Sequence, residues 1–355
     1  MEKTKRYLSI YEQVREDIIS GRYTVGSKLP SKRVMAESMG VSVITVEHAY
    51  ELLMEEGYIT TREKSGYFVI FDDKDIYTPA VTMPIVRVKS EKKNNSQKID
   101  FSYSIYAKTV RRVLSEYDSY IMEKSDKKGL LQLRTALCEY LGRSRRISVT
   151  PKQIIVGAGA EYLYGLIVQT FGREITYGIE TPSYPKITKV YASGGAKLES
   201  LPLTNDGIDS KDLWAGHMNV LHITPYRSFP SGVTASASKK REYLKWSKKT
   251  DGYIIEDDFE SEFTPSRKPE ETLFSIDTEG RVIYVNTFTR TIGSFIRCAY
   301  MVLPTNLLPL FEEKIGFYEC PVPTLDQLVL SELINSGDFE RHINRVRRHN
   351  RKDKS

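Results

Sequence analysis

The sequence lacks the features that would place it in several large classes. Its 355 residues include three cysteines, Cys138, Cys298 and Cys320, far apart in the chain and without metal-ligand spacing. They read as reduced core or surface thiols of a cytoplasmic protein. No apolar run approaches the length needed to cross a bilayer. The N-terminal MEKTKRYLSI has no apolar signal core, which argues against export. A spread of excess basic charge is missing too. The formal net charge is +6, yet residues 1–70 hold ten Lys/Arg and ten Asp/Glu, while residues 341–355 hold seven Lys/Arg and one Asp. The excess lies in the last fifteen residues, so any argument for nucleic-acid binding has to come from local arrangement, not bulk charge. What is present, 40% hydrophobic and 28% charged residues, fits a soluble globular chain long enough for two or three domains.

Apolar residues Ile10, Val14, Ile18 and Ile19 form a helical stripe over Ser9 to Ile19. Gly21, Gly26 and Pro30 break it. Ser31 is placed to cap a short helix from Lys32 to Met39, ended by Gly40. Ser42 is placed to cap a third helix running to Glu56, with Val46, Tyr50 and Leu53 inward. The short turn Met39-Gly40-Val41 makes the pair a helix-turn-helix candidate. Tyr58 to Thr61 and Gly66 to Ile70 then read as two strands of a hairpin.

The words GSKLPSKRVMAESMGVS, TVEHAYELLMEEGYI and SGYFV resemble the GntR family of winged-helix transcription regulators. The resemblance covers nearly all of residues 8–70 and implies double-stranded DNA as a partner. It implies that the third helix enters the major groove with its N-terminal end, which carries Ser42, Val43, Ile44 and Thr45. It sets Ser31 and Arg33 near phosphate at the start of the second helix, and Lys64 and Gly66 at the wing tip. Each residue also has a plain reading: helix caps for Ser31 and Ser42, a solvated charge for Arg33, an exposed helix face for Thr45. One position departs from the family, which usually carries a charged residue where Val43 stands. Valine offers only apolar contact, for example to a thymine methyl.

Residues 71–98 contain two prolines and a run rich in Lys, Asn and Ser, and read as a linker. From Ile99 onward strand-like and helix-like segments alternate. Ile154 to Val156, Ile175 to Ile179, Val220 to Thr224, Tyr253 to Ile255 and Val282 to Val285 read as strands, and Leu130 to Leu141 and Glu161 to Thr170 as helices. This predicts an α/β domain with a mostly parallel sheet over 99–355, joined to a winged helix-turn-helix over 1–70.

The words DKKGLLQLRTALCEYL, VTPKQIIVGAGAEYL, ETPSYP, ITPYRSFPSG, IIEDDFESEF, NTFTRT and CPVPTLDQLVLSELINSGDFERHI resemble the fold type I aminotransferase-like domain of MocR-type regulators, a GntR subgroup. That resemblance implies a homodimer and a pocket for pyridoxal phosphate. Gly159 and Ala160 then lie at a strand-to-helix turn suited to phosphate. Tyr184 matches an aromatic residue near the cofactor ring, Asp257 the carboxylate that pairs with the pyridine nitrogen, and Arg297 a phosphate-binding arginine. Tyr184 also reads as a core tyrosine, Asp257 as a strand-end acid and Arg297 as a surface cation. Three positions depart from the pattern. Arg290 stands where the family has the lysine that bonds covalently to the cofactor, and a guanidinium offers no amine nucleophile. Phe259 and Phe229 stand where polar residues contact the cofactor phenol oxygen. Relatives continue beyond FERHI into a small C-terminal subdomain, so the chain is expected to lack most of it.

Three readings follow. The first is a DNA-binding regulator whose aminotransferase-like domain is catalytically inactive. Its cofactor is not covalent. Arg290 and Arg297 either bind pyridoxal phosphate or another small phosphorylated or carboxylated anion opposite Asp257, or Arg290 pairs with Asp257 and fills the site. The second is a pyridoxal-phosphate enzyme or covalent sensor, which needs another lysine to reach the cofactor. The third is a truncated, non-functional remnant. No metal site and no membrane partner are expected.

Overall fold

The computed structural model describes residues 6–62, 65–72, 101–264 and 271–352. The chain divides into two compact units, Met1–Asn94 and Asn95–Ser355. The residues read as a linker fall outside the described ones except for 71 and 72.

The small unit is three helices and a hairpin. Helix α1 spans Arg6–Ile19 and turns Ile10, Val14 and Ile18 inward at four-residue spacing. Helix α2 spans Lys32–Met39 and α3 spans Val43–Glu55. Both begin at the serines expected as caps. Gly40 ends α2 in the left-handed region, φ 63°, where a Cβ would be strained. Val46, Ala49, Tyr50 and Leu53 on α3 meet the α1 stripe in one core. Strands β1 (Ile59–Arg62) and β2 (Gly66–Val69) pair antiparallel with Ile59 opposite Val69 and Arg62 opposite Gly66. The hairpin is tied down by Tyr67, whose ring meets Tyr50 edge-on at 4.8 Å.

The large unit is built on one eight-stranded sheet. Helix α4 spans Tyr103–Tyr117 and α5 spans Leu131–Arg145. They precede β3 (Ile154–Gly157), α6 (Ala160–Phe171), β4 (Thr176–Thr181) and α7 (Pro185–Ser193). Next come β5 (Lys197–Thr204), β6 (Gly207–Ile208), α8 (Ser210–Ala215) and β7 (Val220–Ile223). After these lie α9 (Ala237–Thr250), β8 (Tyr253–Asp257), α10 (Leu273–Ile276) and β9 (Val282–Thr287). The described chain closes with β10 (Ala299–Val302), α11 (Leu308–Ile315), α12 (Thr324–Asn335) and α13 (Asp338–Lys352).

Strand order is β3-β10-β9-β8-β7-β4-β5-β6. The run β5-β4-β7-β8-β9 is parallel throughout; β10 is antiparallel to both β3 and β9, and β6 to β5. The mostly parallel α/β sheet matches the expectation. All five strands read from the sequence are present, within two residues at each end. Strands β5, β6 and β10 lack a clear strand pattern in the sequence. Strand β5 mixes polar and apolar residues and contains Pro202, and β10 is a four-residue apolar segment between loops. The residues of the basic tail up to Lys352 are the continuation of α13. Its first turns bury Phe339 and Ile343 in the same core as α5 and α12.

Leu53 has no exposed surface in the small unit's core. Leu53→Ala is expected to destabilise that unit by about 2–5 kcal/mol. Hydrogen exchange of the α1 and α3 amides in the full chain measures it.

Candidate functional site

Sheet topology explains why distant segments converge in the large unit. Parallel strands all end at the same edge, and ligands of open α/β sheets bind beyond those ends. The loop after β4 carries Tyr184, that after β7 carries Phe229, that after β8 carries Phe259, and that after β9 carries Arg290. Because β10 reverses between β9 and β3, β3 runs with the parallel set, so Gly157 ends at this edge as well. The N-terminus of α6 and the segment with Arg297, just before β10, lie there too. Five loops and a helix start therefore meet along one rim.

At the rim's floor Asp257 is buried. The Tyr164 hydroxyl donates to its carboxylate, and His222 Nε2 lies 3.6 Å from the same oxygen. The other ring nitrogen of His222 pairs with the Tyr191 hydroxyl at 2.8 Å. A carboxylate, an imidazole and two phenols thus form a buried chain from α6 and α7 across β7 to β8. Glu180, at the end of β4, accepts a hydrogen bond from Ser228. Burial pushes its carboxyl up to about 7, opposed by the bonds from Ser228 and from Thr224.

A second buried network lies beside this floor. Arg145 sits between Asp258 (3.3 Å) and Glu262 (3.6 Å). Tyr284 donates to Asp258 at 2.7 Å and Asn286 to Glu262 at 2.8 Å. Burial raises the Glu262 carboxyl, while Arg145 opposes it. These bonds tie the ends of β8 and β9 to α5, and so hold the two loops that carry Phe259 and Arg290. Glu256, one strand position deeper, accepts the Leu273 and Phe274 N–H groups at 2.8 and 2.9 Å. Burial pushes it up to about 7 as well.

The cations are not free. Arg290 forms an ion pair with Glu260, whose other oxygen lies 3.6 Å from Arg227, and its guanidinium stands 5.9 Å from the Phe259 ring centre. The expected alternative pairing of Arg290 with Asp257 is incorrect. Asp257, the last residue of β8, is engaged from below by Tyr164 and His222, and Glu260, three residues on in the loop that follows, reaches the guanidinium at the surface. Arg297 bonds Glu161 at 3.0 Å. Glu161 also binds Lys186 at 2.6 Å, and Lys186 and Arg297 together hold its carboxyl below the usual range. Gly159, φ +96°, leaves the space that Arg297 uses: a Cβ there would come within 3.2 Å of Nη2. Tyr184 meets Phe229 edge-on at 6.3 Å, and Lys186 Nζ stands 5.9 Å from the Tyr184 ring centre.

The rim carries Gly159, Ala160 and Arg297, the buried carboxylate of Asp257 and the Tyr184 ring. It has no amine at position 290, and phenyl rings at 229 and 259 cannot bond a phenol oxygen. Non-covalent binding of a pyridoxal-type anion fits these residues; covalent capture at position 290 does not. Sequence reasoning missed Tyr164, His222, Glu260, Arg145 and the Glu161–Lys186 pair, because each acts through a partner far away in the chain. Glu260 stands in the acidic run after β8 and was the most legible of them.

In the small unit, Ser31 caps α2 by accepting the Val34 N–H at 3.3 Å. Ser42 caps α3 by accepting the Thr45 N–H at 3.2 Å, and its hydroxyl also pairs with that of Thr45 at 2.8 Å. Arg33 and Val43 are exposed and Thr45 is half-buried. Gly66 opens β2 with φ +109°. Lys64 lies outside the described residues. Among the described residues no helix is long and apolar enough to cross a membrane.

A family model described as bacterial regulatory proteins, gntR family, matches residues 6–69, and one described as aminotransferase class I and II matches residues 110–352. The HTH-type transcriptional regulator YdeL of Bacillus subtilis is 33% identical over 361 residues, covering 98% of this chain and 77% of that protein. The pyridoxine biosynthesis transcriptional regulator PdxR of Corynebacterium glutamicum is 28% identical with coverages of 98% and 77%. The probable rhizopine catabolism regulatory protein MocR of Rhizobium meliloti is 27% identical with coverages of 96% and 73%. Among solved structures, Pyrococcus horikoshii kynurenine aminotransferase superposes with a TM-score of 0.64 at 23% identity, over 70% of this chain and 64% of that one. The α-aminoadipate aminotransferase LysN of Thermus thermophilus gives 0.63 at 24%, with coverages of 70% and 64%. This chain spans just under two thirds of those enzymes, and the likeness is one of fold.

Glu180 and Glu256 set a pH dependence. A carboxyl raised from 4.5 to about 7 binds its proton more tightly in the folded chain. Its contribution to stability is therefore complete below the unfolded value and is lost as pH rises through about 7. Each group accounts for at most about 3 kcal/mol. Thermal melts of Glu180→Gln, which keeps a partner for Ser228, are expected to fall less steeply between about pH 4.5 and 7 than those of the unaltered chain.

Proposed function

The chain belongs to the MocR type of the GntR family of bacterial regulators, a DNA-binding transcription regulator with an aminotransferase-like domain, and on that premise we propose that its large unit senses a ligand without catalysis. The observation that carries this reading is the Arg290–Glu260 ion pair at the position where the fold's chemistry needs a lysine amine. In this reading Gly159, Ala160 and Arg297 hold a phosphate or carboxylate, Tyr184 covers the ring, and Asp257 faces the opposite end. Pyridoxal phosphate is one candidate and another small phosphorylated or carboxylated molecule is the other. When bound, that cofactor supplies a reactive aldehyde on an electron-withdrawing ring, and a guanidinium offers it no unprotonated nitrogen. Lys186 contacts Glu161 at this rim, and that carboxylate keeps its amine protonated. That supports non-covalent binding over the covalent-sensor reading.

DNA is bound by the small unit, residues 1–70, with 71–98 as the tether and 99–355 as the effector and dimerisation domain. Arg33 and Ser31 contact phosphate, Gly66 and Lys64 lie along the backbone at the wing, and Ser42, Val43 and Thr45 face the major groove. A cytoplasmic homodimer delivers two such units to two half-sites.

Three outcomes test the proposal. Incubation with pyridoxal phosphate followed by borohydride leaves the intact mass unchanged; a covalent adduct at Lys186 or elsewhere refutes the reading. Glu161→Gln releases Arg297 and Lys186 and tightens pyridoxal phosphate binding about 2- to 5-fold in titration calorimetry. Arg33→Ala weakens binding to all duplexes alike and lowers the salt slope by about 1.

A further inference from the structure

The recognition helix carries an unusual set of side chains for a DNA reader. Helix α3, VITVEHAYELLME, has three glutamates and no lysine or arginine. The nearby cation on α2, Lys32, is consumed in an ion pair with Glu47 of α3. The two hydroxyls at the helix start are engaged with each other and with the cap, Ser42 with Thr45. The commonest specific major-groove contact, a bidentate arginine or lysine on guanine, therefore has no donor on this helix.

The leading end of α3 instead exposes two β-branched apolar residues, Val43 at 40% and Ile44 at 64%. Neither joins the core of the small unit. Ile44 in particular gains nothing locally from its exposure, since β-branched residues are mediocre helix formers. In the major groove one base feature is apolar, the C5-methyl of thymine.

We propose that Val43 and Ile44 read thymine through that methyl group, so that this regulator selects methyl-bearing pyrimidines, not guanine, beneath the tip of α3. The inference rests on the regulator reading above, in which α3 enters the major groove. It goes further by assigning Ile44 a base-reading role and by naming the chemical group that is read. Phosphate contacts from Arg33 and the wing then supply affinity, and the apolar tip supplies discrimination.

The test uses the full chain. Duplexes are selected from a random-sequence pool, and the enriched sequence is resynthesised with thymine or with uracil, which keeps base pairing and removes the methyl. Affinities are compared by fluorescence anisotropy at one salt concentration. The uracil copy is expected to bind more weakly, by roughly 4-fold for each methyl read, with the loss confined to one or two positions in each half-site. The double variant Val43→Ala, Ile44→Ala, both exposed and outside the core, is expected to bind the two copies within about 2-fold of each other. Equal binding of both copies by the unaltered chain overturns the inference and leaves the winged-helix reading standing. An equal thymine preference in the unaltered chain and in the variant also overturns it, since the preference then comes from DNA shape. Failure to enrich any sequence removes the regulator reading, and this inference with it.

Discussion

Parallel pairing from β5 through β9 is the constraint on which the large unit's site depends. Strands that run the same way end on the same side, and each must then send its chain back over a face of the sheet. The loops that make this turn are forced to one rim whatever their residues. Tyr184, Phe229, Phe259 and Arg290 are separated by as many as 106 positions, yet share that rim because β4, β7, β8 and β9 share a direction. The reversal at β10 brings Gly157 and Arg297 to it as well. The Arg145 network then holds the β8 and β9 ends to α5. Burying those charges is costly, and the arrangement persists because each carboxylate also accepts a hydrogen bond from Tyr284 or Asn286.

Around this rim each cation is matched with an acid of the same chain. Glu260 serves Arg290, and Glu161 serves both Arg297 and Lys186. A site built to bind a dianion strongly would leave such charges to the ligand. Under the proposed reading, an incoming anion competes with a tethered carboxylate for each of these cations. At the same rim Tyr184 and Phe229 meet edge-on, and Asp257 is held in place by Tyr164 and His222.

The small unit divides its work in a similar way. Its core is apolar and its helix ends are closed by serines, so the fold draws little on the groups left at the surface. The surface that the family presents to DNA has no lysine or arginine on α3. Under the proposed reading, affinity and discrimination come from different residues, cations on α2 and the hairpin for one, the apolar helix tip for the other.

Much of this protein can be read from its sequence by itself. The helix limits of the small unit follow from Ser31, Gly40 and Ser42, because caps act over three or four residues and need no distant partner. The alternation of strands and helices is likewise local, and so is the presence of an arginine, not a lysine, at position 290. Tertiary structure alone decided which acid meets which base. Arg290 pairs with Glu260 and not with Asp257, Lys186 comes within reach of Glu161, and His222 lies beneath Asp257. Ion pairs are chosen by distance in space, and no periodicity in the chain encodes the folding that brings those atoms together.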